Sequence, residues 1–157
     1  MNSTGKYIRI ERIFYEEPYL LNLIFKASNG YQTGELEIYV HPEDLSELAG
    51  NINNFPQSLK HEYPWVFGSE NKADNFAYYF KLLFCPIDAG GNCNLVVSMN
   101  NNESDLRELE VSHFTIKCST EELNMLSILL LKFSGASKQG LQSCTVLEWS
   151  GSDGSVY

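Results

Sequence analysis

Positive charge is scarce in this chain: 11 lysines and arginines stand against 20 aspartates and glutamates, a formal net charge of −9 over 157 residues. Surfaces that hold nucleic acid displace phosphate counterions with Lys and Arg, so nucleic acid is not expected as a direct ligand. Long apolar runs are also missing. The longest aliphatic stretch, Ile128 to Leu131, falls far short of the roughly 20 residues that span a bilayer. The N-terminal MNSTGKYIRIERIFYEEP has no unbroken apolar segment of the signal-peptide kind. The expectation is a cytoplasmic protein with no membrane association.

Chemistry-bearing motifs are equally sparse. The four cysteines, Cys85, Cys93, Cys118 and Cys144, form no C-x-x-C pair and have no histidine at metal-ligand spacing, so no metal or other cofactor is expected. Cys85 and Cys93 flank a hairpin loop and are read either as half-buried thiols or as a disulfide, the thiols being favoured in a reducing compartment. His41, His61 and His113 are the only histidines, and none sits in a recognisable catalytic context, so no catalytic residue is assigned. Gly90-Gly91 lacks the surroundings of a phosphate-binding loop.

What is present is core-forming material. With 43% hydrophobic and 13% aromatic residues, the chain is read as globular, and this length buries about 70% of the unfolded surface. Period-two segments at Tyr7 to Tyr15, Tyr19 to Ser28 and Tyr31 to Val40, separated by turn chemistry at Glu17-Pro18 and Asn29-Gly30, predict a three-stranded meander. His41-Pro42-Glu43-Asp44 then opens a helix to about Asn53, with Leu45, Leu48, Ala49 and Ile52 on its packed face. After a long connection, Phe55 to Asn75, the order repeats: strands at Phe76 to Cys85, Cys93 to Met99 and Arg107 to Cys118, and a helix from Thr120 to Phe133 behind the capping box Ser119-Thr120-Glu121-Glu122. In the last strand the inward parity changes between Val111 and Phe114, which predicts a bulge near Ser112-His113.

The fold class expected is therefore α+β: two β-β-β-α units (7–54 and 76–134) with antiparallel meander sheets and helices packed on one face. They form a single domain, 1–150, followed by a flexible tail, 151–157. The second helix is apolar nearly all round, so either the segment Cys144 to Trp149 or another protein must cover its far side; a homo-oligomer built through this helix is one alternative.

Two carboxylate groups stand out. Glu43, Asp44 and Glu47 lie on the outer side of the first helix; Glu103, Asp105, Glu108 and Glu110 lead into the last strand of the second unit. Both are read as solvated acidic faces or as contact surfaces for a basic protein partner. A small-ligand or enzymatic pocket between the sheet and Tyr63 to Phe67, walled by Trp65 and tyrosines, is the rival reading.

The run Leu20 to Val40 followed by Pro42-Glu43-Asp44-Leu45, together with Tyr79 to Phe84, Leu95-Val96-Val97-Ser98-Met99 and Phe114 to Cys118 before Ser119, resembles bacterial immunity proteins of the WapI type. That resemblance, which covers about Tyr19 to Phe133, implies a non-catalytic binding protein that neutralises a basic, nuclease-type toxin.

Overall fold

Residues 5–16, 20–138 and 145–157 are described by the computed structural model of the chain; the turn expected at Glu17-Pro18, the strand start at Tyr19, and Cys144 lie outside them. The alternation in the third strand orients the first sheet. β1 (Tyr7–Glu16), β2 (Leu20–Ser28) and β3 (Thr33–Val40) form the antiparallel meander. Val40, Ile38 and Leu36 are buried opposite Leu21, Leu23 and Phe25, while Glu35 and Glu37 face solvent. A one-residue slip of β3 would turn its three apolar side chains outward, at roughly 1.5–3 kcal/mol for each, so the register is strongly specified. Asn29 closes the β2–β3 turn, its Oδ1 accepting from the backbone N of Tyr31 (2.9 Å) and Gln32 (2.8 Å).

α1 (Pro42–Ile52) begins where its sequence says. Proline occupies the first turn, and Asp44 Oδ2 accepts from the backbone N of His41 at 2.7 Å. Leu45, Leu48, Ala49 and Ile52 are its buried stripe.

The long connection holds a further strand, β4 (Tyr63–Gly68), and the second unit follows with β5 (Tyr79–Pro86), β6 (Asn92–Asn100), β7 (Val111–Ser119) and α2 (Thr120–Lys138). The capping box forms as predicted: Ser119 N donates to Glu122 Oε1 (2.9 Å) and Glu122 N to Ser119 Oγ (3.2 Å). Two expectations are corrected here. β7 begins at Val111 and not at Arg107, and no bulge interrupts it, because β6 and β7 pair without a break from Asn92 opposite Ser119 to Asn100 opposite Val111. The apparent change of parity arose from counting Leu109, which belongs to the preceding loop, and Val111, which is exposed.

Two separate sheets result, ordered β3-β2-β1-β8-β9 and β4-β5-β6-β7. β8 (Val146–Trp149) pairs antiparallel with β1, as β4 pairs antiparallel with β5. Each unit is thus β-β-β-α-β, and each sends its closing strand to the first strand of the other's sheet. α1 and α2 run antiparallel and close together, with Ser46 Oγ 2.8 Å from Ser134 Oγ and Ser127 Oγ donating to the carbonyl of Ala49 at 2.7 Å. Small residues at this seam allow the backbones to approach. One continuous hydrophobic core spans both halves.

The far side of α2 is covered in part from within the chain. Leu147 and Trp149 are fully buried, and Trp149 Nε1 donates to the carbonyl of Glu122 at 2.9 Å. Ile128 and Leu131 remain exposed. The segment 151–157, expected as a flexible tail, instead folds back: β9 (Gly154–Val156) pairs with β8, and Tyr157 Oη donates to Glu148 Oε1 at 2.6 Å.

Cys85 lies opposite Asn94 and Cys93 opposite Pro86, so the two cysteines occupy opposite faces of the sheet. Cys85, Cys93 and Cys118 are all free thiols, which rules against a Cys85–Cys93 disulfide in this structure. Burial raises the pKa of each, that of Cys118 to about 12, as befits inert packing groups.

Candidate interaction surface

The first acidic group divides by role. Glu43 and Glu47 are exposed on α1, but Asp44 is half-buried and spends one oxygen on the backbone of His41, fastening the helix start. β4 brings Tyr63 close to this edge. Burial is the main cause that raises its phenol pKa to about 12, with the negative charges of Glu47 and Asp44 adding to it. The strip lies on a helix surface.

The second acidic group lies on a built loop and not on the strand approach expected for it. Asn101 organises residues 101–110 from within: its Oδ1 accepts from the backbone N of Glu103 (3.3 Å) and Glu110 (3.0 Å), and its Nδ2 donates to the carbonyl of Glu108 (2.9 Å). Asp105 turns the chain a second time, its carbonyl accepting from the backbone N of Glu108 (2.9 Å) and Leu109 (3.0 Å). Its carboxylate binds the Arg107 guanidinium at 3.1 and 3.0 Å and the Arg107 amide at 3.0 Å, which holds it below the usual carboxylate range. Asp105 is therefore neutralised where it stands, leaving Glu103, Glu108 and Glu110 as the exposed charges of the loop.

Asn102, at φ 54°, fastens this loop to the segment before β5. Its Nδ2 donates to the carbonyls of Ser69 (2.8 Å) and Phe76 (3.1 Å). That segment is itself braced by Ser69 Oγ donating to Asp74 Oδ2 (2.7 Å) and by Asn71 Oδ1 accepting from Ala73 N (3.0 Å) around a short 3-10 turn, Lys72–Asp74. Where the two walls meet they leave an open groove of about 290 Å³, lined by Glu70, Glu103, Phe76, Leu106 and Leu109 among others. Phe76 is 55% and Leu106 83% exposed. Residues 69–76 and 101–110 hold six carboxylates against two cations, so four of the nine excess negative charges of the chain gather at this corner. Braced backbone, single-sign charge and uncovered apolar side chains suit a protein contact.

Reading the sequence identified the carboxylates of this loop but missed Glu70, Phe76 and Leu106, which line its groove. The signals were the Asn100-Asn101-Asn102 run, which is a loop-capping composition, and the isolated Leu106 between charged residues.

The rival pocket at Tyr63 to Phe67 is filled. Trp65 is buried, with its ring edge-on to Phe67 at 4.8 Å and to Phe80 at 5.9 Å, and Tyr63 stacks on Phe84 at 6.0 Å. A different groove, of about 350 Å³, runs over the outer face of the second sheet past Tyr79, Lys81, Ser98 and His113. There Ser98 Oγ lies 2.9 Å from His113 Nδ1, but no carboxylate bonds the other ring nitrogen among the described residues, so the third member that orients a catalytic base is missing. Among the described residues no group of three or more His, Cys, Asp or Glu is placed to hold a metal ion, and no helix is long and apolar enough to cross a membrane.

No known protein family, no curated protein and no solved structure matches the chain.

Proposed function

We propose that this chain is a non-catalytic, cytoplasmic binding protein that neutralises a basic, nuclease-type toxin by direct contact, in keeping with its resemblance to WapI-type immunity proteins. The observation that carries this reading is the corner formed by 69–76 and 101–110, where the acidic excess is concentrated on a braced backbone beside exposed Phe76 and Leu106. A toxin that cleaves nucleic acid needs a cationic active face. An inhibitor that presents single-sign negative charge meets such a face quickly and competes with the substrate for it.

The test is affinity capture from the native cell at low and at high salt, with wild-type chain and with the double variant Glu103→Lys/Glu108→Lys. A basic protein captured at low salt, released as salt rises and lost with the double variant supports the reading, provided that co-expression of the wild-type chain relieves the toxicity of that protein. A partner whose binding ignores both salt and the two charges overturns it.

Self-association through α2 is the second reading, favoured by the exposed Ile128 and Leu131. Sedimentation of a monomer that Ile128→Lys leaves unchanged removes it.

A further inference from the structure

We propose that the groove between Phe76 and Leu106 receives one arginine side chain of the protein partner, an assignment that rests on the binding function above and names the chemistry it recognises. Its lining is matched to a guanidinium in three respects. Charge comes from Glu70 and Glu103, neither of which forms an ion pair among the described residues, while Lys72 on the same wall cancels one of them. The balance suits a single positive charge and disfavours a densely cationic segment. Flat apolar surface comes from the exposed ring of Phe76, on which a planar cation stacks, and Leu106 and Leu109 accommodate the aliphatic stem. Preorganisation comes from Asn102, whose amide nitrogen bonds both Ser69 and Phe76 and so holds the loop against the wall that carries the ring.

Arginine fits this lining better than lysine. Its fork can engage a carboxylate with two parallel hydrogen bonds while its face lies on the ring, and its weaker hydration lowers the cost of entering a half-enclosed groove. A lysine ammonium offers a point charge with no face to stack.

The experiment titrates the isotope-labelled full chain with N-acetyl-arginine amide, following backbone amide shifts, with the lysine and citrulline analogues in parallel. The expected result is saturable change confined to residues 69–76 and 100–110, affinity for the arginine probe about fivefold above the lysine probe, and no response to uncharged citrulline. Phe76→Leu, which keeps an apolar wall without a π-face, and Glu103→Gln should each weaken the arginine probe about fivefold. Both side chains are exposed, and an unchanged amide spectrum elsewhere verifies that the variants fold.

Shifts spread equally over Glu43 and Glu47, equal affinity for the arginine and lysine probes, or full binding by Phe76→Leu would each overturn the assignment. If the basic partner is captured and lost with Glu103→Lys/Glu108→Lys while Phe76→Leu captures it normally, the groove assignment fails and the binding function stands. If the probe binds the groove as expected but the captured partner ignores salt and the loop charges, the binding function fails instead.

Discussion

The two halves of the molecule share a plan and part company at one hairpin. β2 and β3 are joined by four residues, 29–32, and β6 and β7 by ten, 101–110. Both connections depend on an asparagine side chain whose Oδ1 accepts two backbone amides, Asn29 in the short turn and Asn101 in the long loop. The short turn stays within the fold: Asn29 Nδ2 donates to the carbonyl of Thr115 on β7 (3.2 Å), and Gly34 just beyond it lies so near Ser112 that an added Cβ would sit 2.8 Å from the serine Cβ. The long loop turns outward, carries the uncompensated acids and forms one wall of the groove. The same strand order is thus closed by a short turn on one side and by a long, outward-turned loop on the other.

The largest test of that comparison concerns the frame. Because each half completes the other's sheet, Trp149→Ala should cost about 3–5 kcal/mol, as truncation of a fully buried aromatic side chain does. Trp65→Ala, in the closing strand sent the other way, should cost a similar amount. Urea unfolding of either variant should remain a single transition; two separated transitions would show that the halves fold independently and that strand exchange does not couple them.

The two asparagines give the next largest effect and separate frame from loop. Asn29→Ala and Asn101→Ala each remove an acceptor for two amides and should each cost about 1–2 kcal/mol. Only Asn101→Ala should also weaken capture of the proposed basic partner, because only it loosens the wall of the groove. Equal loss of binding from both variants would erase the distinction between the hairpins.

The smallest effect lies at the helix starts. Asp44 and Glu122 make equivalent bonds back to the residue before each helix, but Glu122 also pairs with Lys6 Nζ at 2.8 Å. Burial alone would raise the pKa of Glu122; hydrogen bonds from Lys6 and from the Ser119 backbone outweigh it and lower the pKa. A carboxyl depressed in the folded state adds stability that is fully present above its unfolded pKa, about 4.3, and is lost as pH falls through the folded value. Glu122→Gln should therefore lower stability at neutral pH by about 1 kcal/mol or less and flatten the acid limb of the stability profile. A limb as steep as that of the wild type would place the titrating group elsewhere.

Much of the frame could be read from local spacing. Leu36, Ile38 and Val40 alternate and are buried together; Pro42 and Ser119 mark both helix starts to the residue. The site was legible only in part. Glu103, Glu108 and Glu110 are conspicuous as a charge run, yet nothing adjacent to them says that Asp105 is neutralised by Arg107 or that Glu70 and Phe76 lie across a groove. Asn102 makes that connection, through hydrogen bonds to residues 33 and 26 positions away. The parity rule failed at Leu109 and Val111 for a related reason: side-chain bonds from Asn101 fold the chain into a loop where apolar alternation alone suggested a strand.

By itself, the sequence determined the faces of its elements and the places where helices begin, since these follow from side-chain period, proline geometry and capping bonds between residues a few positions apart. Only the tertiary structure decided which strands of the two halves become neighbours. β1 and β8 pair across almost the whole chain, Ile8 opposite Trp149 and Ile10 opposite Leu147. An apolar alternating strand carries enough information to bury one face, but its backbone donors and acceptors are alike along every edge. The choice of partner was therefore left to the packing of two serine-seamed helices against two sheets, each of which needed a strand from the other half.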